Sequence, residues 1–251
     1  MPPRDAVPRS VARKSTARKP VPTLRQYIGG EWVPAGGGRE FTDTDPWDGR
    51  PVAVIPAADA GDAARAVDVA AAAFATWGRG GPGERQRILL RAADVLDRRS
   101  GEVLDWLAAE TGCGVHSGAV QLEFALSLLH QAAGAAYAAV GQVLPSDLPG
   151  TFAMAVRRPV GVVAAIAPWN AALVLSARAI AAPLALGNTV VLKPSEESPF
   201  VGGVRWAPNW WPTRGCGGSA SPARRRPGGG WRPRPGSTSS GSCWSSAGTT
   251  P

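Results

Sequence analysis

Hydrophobic and polar positions alternate in three successive ways along the chain, and each predicts a different kind of element. Tyr27 to Val33, with Gly29-Gly30 inside it, reads as a strand and turn, and Pro51 to Ile55 as a second strand. From Asp59 the period becomes helical: Ala63, Val67, Ala70, Ala71, Phe74 and Trp77 form a stripe, with Asp59 as N-cap. Pro82 opens a second helix, whose stripe of Ile88, Leu89, Ala92, Ala93 and Leu96 faces away from Arg85, Arg87, Arg91 and Arg98. A third helix follows Ser100 and stops near Gly112, and a fourth carries Leu122, Ala125, Leu126 and Leu129.

After Pro145-Ser146-Asp147 the pattern turns to unbroken apolar runs. Residues 160–167, VGVVAAIA, predict a strand buried on both faces of a parallel sheet. Pro168-Trp169-Asn170 ends it, Ala171 to Leu186 is helical with Gly187-Asn188 as C-cap, and Thr189 to Lys193 is a second buried strand. Strand, helix and strand in so short a stretch are a βαβ unit, so the fold class is α/β with an incomplete Rossmann-like parallel sheet and N-terminal helices packed on it. Ligands of such sheets lie outside the carboxyl ends of the strands, where Asn170 and Lys193 to Glu196 fall.

Charge changes this picture only at the ends. The 251 residues carry a net charge of +8, which taken alone suggests a nucleic-acid or membrane-surface binder. Divided by segment, residues 1–24 carry +5, residues 25–200 carry −4 and residues 201–251 carry +7. The middle is an ordinary globular composition, and the basic character belongs to the ends. Residues 1–24 are proline-rich with few large apolar side chains and are expected to be a disordered basic extension. Residues 201–251 hold 11 Gly, 8 Ser, 7 Pro, 7 Arg and 5 Trp and no Leu, Ile, Lys, Asp or Glu, so no core-forming periodicity survives there. No apolar run is long enough for a transmembrane helix. Three widely spread cysteines make neither a disulfide framework nor a metal cluster, and a reducing cytoplasm is the expected compartment.

The run RRPVGVVAAIAPWNAALVLSARAIAAPLALGNTVVLKPSEESP (157–199) resembles the start of the cofactor domain of NAD(P)-dependent aldehyde dehydrogenases. YIGGEWV, the Asp45-Pro46-Trp47-Asp48-Gly49 turn, the helix around Glu84–Leu90 and the AAETG segment extend the likeness over residues 25–199. The wording QVLPSDLPGTFAMAVRRPVGVV is similar to the branch that oxidises aromatic aldehydes such as salicylaldehyde, vanillin or benzaldehyde. The resemblance implies NAD-dependent oxidation of an aldehyde to a carboxylic acid, with a small-molecule aldehyde as partner and homo-oligomers among full-length relatives.

It also implies roles. Asn170 matches the asparagine whose amide donates to the oxyanion formed when a cysteine thiolate attacks the aldehyde. Lys193, Ser195 and Glu196 match the turn that hydrogen-bonds the adenosine ribose, and a carboxylate at Glu196 favours NAD over NADP by repelling a 2′-phosphate. Ile166, Ala167, Pro168 and Trp169 match the lining of the cofactor cleft, and Arg178 could face the substrate channel. Each has a plainer alternative: Asn170 as a helix cap, Trp169 as core, Lys193 and Arg178 as solvated charges. No metal is implied.

The same chemistry needs a cysteine nucleophile and a glutamate base. Cys113 lies in ETGCG, away from the family's nucleophile, and Cys216 and Cys243 have no matching context, so all three are rejected. The tail suggests why. Tryptophan has one codon, so reading Arg205–Cys216 from the last base of each codon forces Gly at Trp206-Ala207. The same shift forces Leu at Asn209-Trp210, Val at Trp210-Trp211 and Ala at Trp211-Pro212. With G at the open positions, and C at the last of them, the stretch becomes VGAELVADAGL, an amphipathic helix with an AGL end like the one that follows KPSE in the family. The expectation is a frame lost between Ser198 and Arg205 and a chain without turnover. Two other readings stay open: a non-catalytic NAD-binding pseudoenzyme, and a basic interaction protein whose Arg- and Trp-bearing ends bind nucleic acid.

Overall fold

The computed structural model describes residues 21–138 and 140–203. The expectations for residues 1–20 and for the tail from residue 204 lie outside the described residues. Four two-stranded sheets and six helices make up the described chain. The first strand splits in two: β1 (Gln26–Ile28) and β2 (Glu31–Val33) form an antiparallel hairpin turned at Gly29-Gly30, both at positive φ. β3 (Glu40–Thr44) pairs antiparallel with β4 (Pro51–Pro56), and only β4 was visible in the sequence pattern.

The next helix, α1 (Ala60–Trp77), starts as expected at Asp59, whose side chain accepts from Asp62 N while Asp62 answers on Asp59 N. Its buried face is displaced from the predicted stripe. Asp62, Ala66, Ala70 and Trp77 point inward, whereas Ala63 and Ala71 face solvent and Val67 is 45% exposed. The displacement follows from Asp62, which is turned inward to accept the Gly36 N–H on both oxygens. Burial alone would raise its pKa, but these backbone donors and nearby Arg65 outweigh it and hold the carboxylate below its usual range. Apart from Trp77 the inward face carries only alanines besides Asp62, so side-chain size marks it poorly along most of the helix.

Helix α2 (Pro82–Arg98) opens at Pro82 and α3 (Ser100–Thr111) stops at Gly112 as expected, with Gly112 left-handed (φ 68°), and the fourth helix, α4, spans Val115–Ala135. Ile88, Leu89, Ala92, Ala93 and Leu96 of α2 are buried, as are Leu122, Ala125 and Leu129 of α4. A third antiparallel pair, β5 (Gly141–Leu144) with β6 (Ala153–Val156), is an addition to the expected elements. Its strands are short and mostly exposed on both faces, so neither alternation nor an apolar run announced them.

The βαβ unit forms as read: β7 (Val162–Ile166), α5 (Ala172–Ala185) and β8 (Thr189–Lys193), the strands parallel with Val162 opposite Thr189 and Ile166 opposite Lys193. Asn188 fixes its entry. Its Oδ1 accepts from Val160 N and Gly161 N, and its Nδ2 donates to the Pro183 carbonyl at the end of α5. Thr189 to Leu192 are buried, as predicted, but β7 is not buried on both faces. Ala165 is inside, whereas Ala164 and Ile166 are exposed. Among the described residues β7 pairs only with β8, and α1 covers just the start of the strand through Val162.

One core joins α2, α3, α4, α5 and β8, and a smaller cluster of Ile28, Ala66, Ala70 and Val191 seats α1 on the parallel pair. Leu24 and Val201 belong to the main core, so the packed region reaches one residue beyond each end of the expected 25–200 span. A short helix, α6 (Pro199–Gly202), closes the described chain against α3, with Phe200 stacked on Trp106 at 3.9 Å between ring centroids.

Candidate active site

The two motifs singled out in the sequence leave neighbouring strands at the same end. Ala167 N donates to the Lys193 carbonyl at 3.0 Å, continuing the β7–β8 ladder by one rung. Pro168-Trp169-Asn170 therefore departs beside Pro194-Ser195-Glu196. Because parallel strands align their directions, any two strand-end motifs in adjacent strands must meet at this edge.

Within the second motif Lys193 Nζ donates to Glu196 Oε2 at 3.1 Å, and both side chains are about one-third exposed. Ser195 is buried, and its Oγ accepts the Glu197 N–H at 3.2 Å, so its hydroxyl braces the turn from within. A half-exposed ammonium beside a carboxylate presents donors and acceptors together, the set that a vicinal diol of a ribose requires. The first motif supplies the apolar part. Ile166 is 75% exposed and Trp169 60% exposed, while Ala167 is buried beneath them. Trp169 is thus not a core residue. An aliphatic and an aromatic side chain standing open beside polar strand ends make a surface suited to a flat heterocycle.

Asn170 lies just before α5, whose N-cap is Ala171, and no side chain caps that helix. The helix-cap alternative for Asn170 is therefore not what the structure shows. Its side chain is exposed, and among the described residues its amide has no hydrogen-bond partner. An amide with two free N–H donors at a strand end can stabilise negative charge on a bound molecule without first breaking an internal bond. Arg178 lies farther along α5, exposed. Leu173, Ser176, Ala177 and Ile180 bury the opposite face of that helix and hold its first turn in place.

Cys113 is half-buried after α3, its Sγ donating to Gly114 O and accepting from the Gln121 amide, with no base beside it. Among the described residues no group of three or more His, Cys, Asp or Glu is placed to hold a metal ion, and no helix is long and apolar enough to cross a membrane. One cluster escaped the sequence reading: the buried carboxyls of Asp43 and Glu110, joining β3, α3 and α6. Val103, Leu107 and Glu110 share a helical face, and a glutamate completing an apolar stripe was the available signal.

Residues 32–207 match the Aldehyde dehydrogenase family. A vanillin dehydrogenase from Pseudomonas fluorescens is 48% identical over 174 residues, which is 69% of this chain and 36% of that protein. The salicylaldehyde dehydrogenase of Pseudomonas putida G7, solved with salicylaldehyde, superposes with a TM-score of 0.77 at 31% identity, covering 81% of this chain and 42% of that one. An NAD-dependent benzaldehyde dehydrogenase from Corynebacterium glutamicum superposes with a TM-score of 0.75 at 31% identity, over 80% of this chain and 44% of that one. The chain spans little more than a third of the length of its curated relatives. A family match over residues 32–207, with the same fold as solved relatives, makes it a member of the aldehyde dehydrogenase family.

Proposed function

We propose that this chain carries the oxyanion donor and the ribose-binding turn of an NAD-dependent dehydrogenase for aromatic aldehydes, without the residues that complete turnover. The observation that carries this reading is the meeting of an unbonded Asn170 amide with the Lys193–Glu196 pair at adjacent strand ends. Aromatic aldehydes are the reading for the substrate because vanillin, salicylaldehyde and benzaldehyde dehydrogenases are among its relatives.

In this reading Glu196 accepts from the ribose hydroxyls while Lys193 donates to them and keeps Glu196 oriented. Ile166 and Trp169 line the ring side of the cleft, Ala167 and Pro168 shape the strand exit, and Ser195 holds the turn. Arg178 faces the substrate side. NAD, when bound, supplies the hydride acceptor. Asn170 donates to the aldehyde oxygen as negative charge develops on it; removing such a donor raises the barrier by roughly 3 kcal/mol. That step needs a thiolate to attack the carbonyl carbon, and Cys113, whose sulfur is bonded to Gly114 O and the Gln121 amide, is not assigned to it. The tail composition supports a coding frame lost between Ser198 and Arg205, which sequencing the gene across codons 198–216 tests.

Titration of the purified chain with NAD tests the cofactor half. With only part of the cleft present, binding is expected to be weak, with Kd on the order of millimolar, equivalent to roughly 4 kcal/mol. NADP should bind more weakly than NAD, and Glu196→Ala should abolish the preference. Equal affinity for both cofactors, or a Glu196→Ala variant that binds NAD unchanged, would refute the assignment.

A further inference from the structure

The buried carboxyl pair has no place in that chemistry, yet it holds the segment that follows the Lys193–Glu196 turn. Glu110, 3% exposed, accepts the Phe200 N–H on Oε1 and the Val201 N–H on Oε2, fastening α6 to α3. Ser176 Oγ donates to Gly202 O at 2.8 Å, and Phe200 stacks on Trp106, so both sides of α6 are gripped by buried groups. Asp43 on β3 lies against Glu110. Its Oδ2 is buried and receives no N–H or hydroxyl from any other described residue. A proton held between the two carboxyls removes the repulsion that two buried carboxylates in contact would otherwise feel.

We propose that Asp43 and Glu110 form a proton-controlled latch, closed while the pair shares a proton and released when both carboxyls ionise, that ties α6 to the body of the protein. Two carboxylates in contact in a buried site repel strongly, whereas a carboxyl donating to a carboxylate attracts. Glu110 holds the shared proton and donates it to Asp43, a bond that raises Glu110 and lowers Asp43, while the Glu110 oxygens still accept the Phe200 and Val201 N–H groups. The charged group facing Glu110 from the elements packed on α3 is Asp43, and Asp43 is faced in turn by Glu197. No lysine, arginine or histidine pairs with either carboxyl among the described residues. Nothing nearby therefore neutralises a second negative charge.

The direction of the pH dependence follows. Burial, with a further push from Glu197, carries Asp43 from 3.8 up to about 6, although Glu110 and the Thr44 N–H pull the other way. Burial and the Asp43 charge raise Glu110 well above its ordinary value against the pull of the Val201 and Phe200 N–H groups. Carboxyls raised on folding stabilise the folded state fully below their unfolded values and lose that contribution as pH rises through the folded ones. The latch is thus closed in acid, loses the Asp43 contribution as pH rises from the ordinary carboxylate range through about 6, and is released as pH rises through the raised value of Glu110. Its bearing on cofactor affinity rests on the role proposed above for Lys193 and Glu196; the latch itself does not.

Amide hydrogen exchange of Phe200 and Val201 in the full chain, corrected for the intrinsic rate, tests it. Protection should fall as pH rises above the ordinary carboxylate range, with a slope approaching tenfold per pH unit where opening releases one proton. Asp43→Asn offers a donor to Glu110 without the charge, and should leave protection flat across the same range. Carbon NMR of the labelled carboxyls needs no variant, and should show Asp43 and Glu110 titrating together above the ordinary carboxylate range. Protection that is flat in the wild type, a D43N slope equal to it, or carboxyls titrating near 4 as in free peptides would each overturn the proposal.

Discussion

Replacing Leu173 by alanine is expected to lower the stability of the folded chain by about 3 kcal/mol, the middle of the range for large-to-small changes in a packed core. Leu173 is fully buried in the first turn of α5, where that helix meets α4 and α2. Its loss removes apolar contact and leaves a cavity that neighbouring Ala172 and Ala177 are too short to fill. Because this turn directly follows Asn170, relaxation of the helix also moves the amide proposed to meet the aldehyde oxygen. Urea unfolding should show a lower midpoint with an unchanged slope. A loss below about 1 kcal/mol would mean that α5 is not anchored through this residue.

The second large effect is on chemistry. In the product of the gene with its frame restored after codon 198, Asn170→Ala is expected to lower kcat by about a hundred- to a thousandfold, as for other oxyanion donors. NAD affinity should stay unchanged, because the Lys193–Glu196 pair lies on the other strand. A change in KM with kcat preserved would assign Asn170 to ground-state binding instead. Asn170→Asp should be at least as damaging, since a carboxylate opposes the negative charge that the amide is proposed to stabilise.

Much of this arrangement was legible before any coordinates. Helices α2 and α4 carry bulky side chains at helical spacing, so their periodicity names their buried faces correctly. α1 is built largely of alanine, and there the inward carboxylate of Asp62 overrode a stripe judged by size. The β5–β6 hairpin stayed hidden because a short ribbon exposed on both faces leaves no pattern. For β7 the apolar run implied cover on both faces, but the described chain supplies one neighbouring strand and partial cover by α1, which leaves Ile166 open. That exposure is also what gives the strand exit its apolar surface.

The candidate site was readable for the same reason that βαβ units are. Consecutive parallel strands bring their ends together, so motifs distant in sequence become neighbours without side-chain guidance. What sequence could not supply was the state of each group: Asn170 unbonded, Ser195 turned inward, Lys193 paired with Glu196. The Asp43–Glu110 pair depends on β3, a strand that the pattern had not marked, so its formation could not be foreseen even though Glu110 itself continues the buried apolar stripe of α3.

The most direct test compares two purified proteins for NADH formation with NAD and benzaldehyde or vanillin. One is the 251-residue chain, and the other is the product of the same gene read one base shifted between codons 198 and 205. No aldehyde-dependent NADH is expected from the first and sustained formation from the second. Turnover by the 251-residue chain, or a folded but inert frame-restored protein, would contradict the division of chemistry proposed here.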